Sequence, residues 1–152
     1  MEKKTYKLDF EFVPEECWYS NLRSILTPAD WDKVRKDAYA RAGWRCCICG
    51  AKGKLEAHEK WSYDDKKALQ KLEDVLALCH NCHEVKHISR TQLMGRGDDA
   101  MYWFMKVNGC SQMEYHEALG VANAEYKQRN QVEGWITDCS WLQGKFGIEI
   151  RR

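Results

Sequence analysis

Two Cys-x2-Cys pairs constrain this chain more than any other feature: Cys46-Cys47-Ile48-Cys49 and, 30 residues after Cys49, Cys79-His80-Asn81-Cys82. A two-residue gap lets both thiolates of a pair turn toward one ion, and four of them satisfy tetrahedral zinc at about 2.3 Å per bond. A fold built around such an ion must bring residues 46–49 beside residues 79–82, so the chain between them has to turn back on itself. Cys47 is expected to be a bystander in the first pair, and the isolated Cys17, Cys110 and Cys139 to act as small buried hydrophobes.

The rest of the composition fits one domain: 152 residues, 44% hydrophobic and 31% charged, which is a globular pattern rather than a disordered one. The first ten residues hold no apolar h-region, and no apolar run approaches the roughly 18 residues a membrane helix needs. Neither export nor a membrane span is expected, and the chain is expected to be cytoplasmic. In that reducing compartment clustered cysteines are metal ligands more often than disulfides. Lys plus Arg (24) nearly equals Asp plus Glu (23), so any site for a polyanion must be local.

Periodicity outlines the elements. Tyr6, Leu8, Phe10 and Phe12 alternate with polar residues as in a half-buried strand, closed by Pro14. Thr27-Pro28-Ala29-Asp30 reads as a helix start, and the helix runs to Gly43. Leu55–Trp61 and Ala68–Leu78 predict a β-hairpin turning at Ser62–Asp65, and the spacing from Cys79 to about Arg90 suits one helix. Asp98–Val107 predicts a helix ended by Asn108-Gly109, Ser111–Glu114 a capping box that opens a long helix toward Glu133, and Phe146–Ile150 a short strand. Trp44 and Trp61 flank the cysteine and histidine region, where each could pack in the core or stack on a base. Trp18, Trp31, Trp103, Trp135 and Trp141 are expected in the core.

Histidines form a second constellation. His58 lies at the end of the first hairpin strand, His83 follows the last knuckle cysteine, and His87 comes four residues later on the same helical face. These three can chelate one ion and leave coordination positions open, as a catalytic metal requires. The alternative is that some of them only support the zinc site through hydrogen bonds.

The string Cys46-x2-Cys49, Leu55-Glu56-Ala57-His58-Glu59, Leu76-Ala77-Leu78-Cys79-x2-Cys82-His83-x3-His87 resembles the HNH endonucleases, also called His-Me finger or ββα-metal nucleases, in their zinc-stapled, four-cysteine form. The likeness covers about Trp44 to Arg90 and extends to small bacterial and phage HNH-like proteins. It implies that a hairpin and a helix hold one divalent cation. Carried over position by position, His58, His83 and His87 are its ligands and Glu59 takes the place of the general base. Glu59 stands where the family has a histidine, and Asp74 where zinc-stapled members have an asparagine that steadies the hairpin. The opposite registration makes His58 the base and leaves the ligand place at Ala57 without a donor. A carboxylate beside a cation can accept a proton from water, although the cation lowers its pKa.

The sequence therefore predicts an α+β, zinc-stapled ββα-metal domain. Residues 1–43 form an N-terminal strand and helix, 44–97 the zinc and metal module, and 98–152 a helical extension. The expected activity is metal-dependent hydrolysis of phosphodiester bonds in nucleic acid, DNA ahead of RNA, with structural zinc at the cysteines and a second divalent cation (Mg2+, Mn2+, Ni2+ or Zn2+) at the histidines. Lys60, Lys86 and Arg90 are the expected phosphate contacts among the basic residues near the module. The alternative function is a non-catalytic, zinc-stabilised module that binds nucleic acid or protein.

Overall fold

The turn-back that the cysteine pairs require is an antiparallel hairpin of β1 (Glu56–Asp64) and β2 (Leu69–Leu78). Its register pairs Glu56 with Leu78 at the open end and Asp64 with Leu69 at the turn, with a bulge between Lys60 and Trp61. The computed structural model describes residues 4–150. The hairpin reaches three residues further than the sequence suggests. Asp64 Oδ1 accepts from the N–H groups of Lys66 and Lys67, both at 3.0 Å, and this Asx-type turn moves the reversal past Ser62–Asp65. A third strand, β3 (Ile136–Asp138), adds to β2 in parallel, with Leu69 opposite Ile136.

Helices surround this small sheet, so the fold is α+β. Seven α-helices are present among the described residues: α1 (Leu22–Ile25), α2 (Pro28–Arg41), α3 (His80–Lys86), α4 (Ile88–Leu93), α5 (Gly97–Asn108), α6 (Gln112–Asn130) and α7 (Ser140–Phe146). Local chemistry fixes their ends. Thr27 Oγ1 accepts from Asp30 N at 3.1 Å and Pro28 opens α2, while Ser111 and Glu114 complete both bonds of a capping box at α6. Gly109, at φ 61°, stops α5 in the left-handed conformation that a residue without Cβ adopts at no steric cost.

Three expectations fail here. Residues 6–12 are not a strand. Leu8 and Phe10 are buried as the alternation implies, but their segment packs on helices and finds no strand edge. Its backbone bonds go to the Asn108 side-chain amide, which takes Leu8 N at 2.9 Å and gives to Leu8 O at 2.8 Å, and to the Lys86 carbonyl, which accepts from Glu11 N at 3.1 Å. The single helix from Cys79 to Arg90 is two, broken at His87 (φ −102°, ψ 49°). The tail strand at 146–150 does not form: α7 runs to Phe146 and is ended by Gly147 at φ 68°, and 147–150 pair with no strand.

The hairpin lies between two clusters of buried side chains. Leu78, Cys82, Val85 and Phe104 centre the first, which Leu8 and Phe10 complete from the N-terminal arm. Leu72, Val75, Val34 and Leu142 centre the second, beneath α2 and α7. Consecutive strand residues point to opposite faces, so one face of β1 looks toward α3 and the other toward α1 and α2. No helix among the described residues is long and apolar enough to cross a membrane.

Candidate metal centres

The hairpin brings the two knuckles together. Cys46, Cys49, Cys79 and Cys82 each offer a sulfur within 4.8 Å of the others, and Cys49 Sγ lies 3.6 Å from Cys79 Sγ. In each knuckle the first sulfur accepts a backbone N–H from the second cysteine, Cys49 N to Cys46 Sγ at 3.5 Å and Cys82 N to Cys79 Sγ at 3.4 Å. Trp103 on α5 adds an indole N–H to Cys82 Sγ at 3.3 Å. Donors aimed at sulfur favour thiolate, and the Cys82 thiol in particular holds Cys46 down to about 4. Burial pushes Cys79 up to about 11, and the Cys46 thiolate raises Cys82. Four such sulfurs cannot ionise together without a cation. The donor set and its size fit zinc, and these four cysteines lie close enough to bind it. Cys47 is exposed and outside the set, and Cys17 is buried as expected.

The second centre lies where β1 meets α3. His58, His83 and His87 also offer one ring nitrogen each within 4.8 Å of the others. His58 is buried on the face of β1 that looks toward α3. His83 Nε2 and His87 Nε2 are 3.1 Å apart. The helix break leaves this pairing intact, because His87 N still donates to His83 O at 3.1 Å. Ala57, the ligand place of the opposite registration, packs against the second core cluster. Burial and the neighbouring imidazoles hold His87 well below the usual range, and burial also lowers His83, opposed by Glu56. Neutral imidazoles are the form that binds a metal.

Two carboxylates escaped the sequence reading. Glu56 Oε1 sits 2.8 Å from His83 Nδ1, leaving Nε2 for an ion, and its other oxygen is 3.1 Å from His80 Nδ1. Glu11, on the N-terminal arm, meets His58 Nε2 through Oε2 and Lys86 Nζ through Oε1 at 3.4 Å. Burial raises both carboxyls, but their hydrogen bonds to histidine, joined at Glu11 by the Lys86 ammonium, bring each below its ordinary range. Carboxylates on the outer nitrogens of metal-binding histidines fix tautomer and ring orientation. Glu56 was legible only as a residue two positions before His58. Glu11 lies 47 positions from its partner and gives no local signal.

Glu59 lies on the opposite face of β1 from His58. Its oxygens accept from Leu22 N at 2.5 Å, at the start of α1, and from Trp61 Nε1 at 3.0 Å. Burial raises its carboxyl despite these bonds. Glu59 nonetheless lines the same cleft as His58, His83 and His87, a cavity of about 820 Å³ that Arg90 also borders. Asp74 accepts from its own strand, at Val75 N, and pairs with Arg41 of α2 at 3.2 Å, so it ties the hairpin to a helix.

The expected phosphate contacts separate. Arg90 is exposed on the cleft, whereas Lys60 is exposed on β1 outside the cleft lining. Lys86 corrects the expectation: it is only 8% exposed, and its ammonium is taken by Glu11. It completes a buried ion pair, because an arm that brings a carboxylate into the interior needs a cation beside it. Trp18, expected in the core, is instead 52% exposed, and Trp44, left between core and surface, is 60% exposed. Trp44 sits at φ 61° just after α2, in a turn that directs it outward.

No family model, curated protein or solved structure matches this chain.

Proposed function

We propose that this chain is a metal-dependent nuclease of the HNH type, hydrolysing phosphodiester bonds in nucleic acid. The observation that carries this reading is the meeting of His58 from β1 with His83 and His87 from the following helical segment, all within 4.8 Å and open to one cleft. Three imidazole donors make a site with free positions, in contrast to the closed set of four cysteines. A divalent cation bound there would supply Lewis acidity toward a phosphate oxygen and a leaving alkoxide.

The residues of the chain take the remaining parts. His58, His83 and His87 hold the ion, and Glu11 and Glu56 set the orientation of His58 and His83. Glu59, in the base position of the resemblance and on the lining of the same cleft, accepts the proton of the attacking water. Arg90 holds the phosphate at the mouth of the cleft. DNA is preferred to RNA on the HNH resemblance.

One observation favours the second reading, a non-catalytic zinc-stabilised module that binds nucleic acid or protein. Both Glu59 oxygens already accept hydrogen bonds from Leu22 and Trp61, so this side chain anchors α1 whether or not it takes a proton. A cleavage assay on plasmid, single-stranded DNA and RNA, with Mg2+, Mn2+, Ni2+ and Zn2+ added in turn, separates the readings. The nuclease reading expects cleavage with at least one of these ions. Absence of cleavage with every ion and substrate supports the binding module.

A further inference from the structure

We propose that the cleft beside the three histidines holds an unpaired nucleobase against the ring of Trp18, so that the nucleic acid presented to the site is single-stranded or locally unpaired. This inference rests on the nuclease reading and narrows its substrate.

The wall of the cleft is aromatic: Trp18, Trp31 and Trp61 all border it. Their mounting is rigid. Trp18 follows the 3-10 turn Glu15–Cys17, whose Cys17 is buried, and its indole N–H donates to Val13 O at 2.7 Å. Trp61 Nε1 is held by Glu59 at 3.0 Å. With these N–H edges occupied inside the protein, what the indoles can offer a ligand is ring surface. Trp18 keeps half of its surface open to solvent, so its ring face is accessible to a ligand.

Arg23 and Arg90 border the same cleft, are exposed, and form no ion pair among the described residues. Arg129, by contrast, is engaged by Tyr63, with its guanidinium 4.7 Å from the ring centroid, and by Phe12 O. Ring surface for a base and free guanidinium groups for the flanking phosphates are the two elements of single-strand recognition. A volume of about 820 Å³ lies within the range that encloses a nucleotide-sized ligand. A base inside a duplex shows only its edges in the grooves, and its face is covered by its neighbours. Stacking on Trp18 therefore requires a base out of the helix.

The test measures binding in buffer without added divalent cation, so that turnover does not interfere. A fluorescein-labelled mixed-sequence 12-nucleotide DNA strand and the same sequence as a blunt duplex are titrated with the full chain, Trp18→Ala and Trp18→Phe, with circular dichroism as the control for folding. The single strand is expected to bind more tightly than the duplex. Trp18→Ala should weaken single-strand binding by about tenfold, within the range for loss of one base–aromatic stack. Trp18→Phe should restore most of the loss, and neither variant should alter duplex binding. Equal or tighter duplex binding, or a Trp18→Ala effect equal for both forms, overturns the inference. Cleavage of the same oligonucleotides with Mg2+, Mn2+, Ni2+ and Zn2+ added in turn keeps the two claims apart. Duplex cleavage that is indifferent to Trp18 defeats the inference and leaves the nuclease standing. Trp18-dependent single-strand binding without cleavage of either form defeats the nuclease and leaves the base site standing.

Discussion

Glu56 Oε1 lies 2.8 Å from His83 Nδ1, so the strand that begins the hairpin fixes the ring of the helix histidine across from it. Glu56→Ala should release that ring and weaken binding of the second cation by about 10- to 100-fold, the usual worth of such an outer partner. The zinc content of the cysteines should not change. Titration with Co2+ followed by visible absorption reads both sites. Unchanged affinity at the histidine site would mean that the Glu56 contact to His83 does not orient the ring for the ion.

Glu11, on the N-terminal arm, meets both His58 and Lys86 at the floor of the histidine site. Glu11→Leu leaves the Lys86 ammonium without its partner in an environment that is 8% exposed, and should destabilise the fold by about 3 kcal/mol. The double variant Glu11→Leu, Lys86→Met should recover much of that loss, since a buried pair replaced by apolar groups is often near neutral. Urea denaturation of the four members of this cycle measures it. Additive single effects would show that the two side chains do not interact.

The histidine site also predicts a pH dependence. His83 is held below the usual imidazole range chiefly by burial, while in the unfolded chain it titrates near about 6.5. Below that pH the unfolded state binds more protons than the folded state, so this contribution to stability is level above about 6.5 and is lost as pH falls. His83→Gln removes this group and should flatten the acid side of the profile between about pH 6.5 and 5. Parallel profiles for the two proteins would contradict the assignment.

Zinc at Cys46, Cys49, Cys79 and Cys82 should behave as part of the fold. Bound there, the ion would join a turn before β1 to the N-terminus of α3, and its binding energy would be largely folding energy. Cys79→Ser is expected to yield an insoluble or unfolded chain. A native thermal transition that survives complete zinc removal would overturn this.

The parts of the site legible in the sequence are those set by covalent spacing. The two-residue knuckles, the step of four from His83 to His87, and the place of His58 on a strand all put donors within reach of one another before any tertiary contact is known. The cap at Thr27 and the capping box at Ser111 are legible for the same reason, because their partners lie within three residues. What the sequence hides depends on distant partners. The alternation of Tyr6 to Phe12 marks burial correctly at Leu8 and Phe10, but whether a buried extended segment is a strand depends on a neighbouring edge, and here Asn108 and Lys86 take its backbone bonds instead. Lys86 looks like a surface cation until Glu11 arrives from the far end of the chain. Trp18 reads as core because most tryptophans are, yet a tight turn with Cys17 inside turns its neighbour outward.

The base role of Glu59 is open to a direct substitution. Glu59→Gln keeps size and can still accept from Leu22 N, so the start of α1 should hold while turnover falls by about 10²- to 10⁴-fold with little change in metal affinity. Steady-state cleavage rates at saturating Mn2+ provide the reading. An unchanged rate, with His58→Ala inactive but still metal-loaded, would instead make His58 the base.

Cleavage of plasmid by His87→Ala, measured beside the parent protein and with metal content determined on both, tests the nuclease account most directly. The parent should bind one tight zinc and one exchangeable divalent ion per chain and cut the plasmid. The variant should keep the zinc and its thermal transition, lose the exchangeable ion, and cut nothing. A variant that cuts as well as the parent, or a parent that binds zinc alone and never cuts, would contradict it.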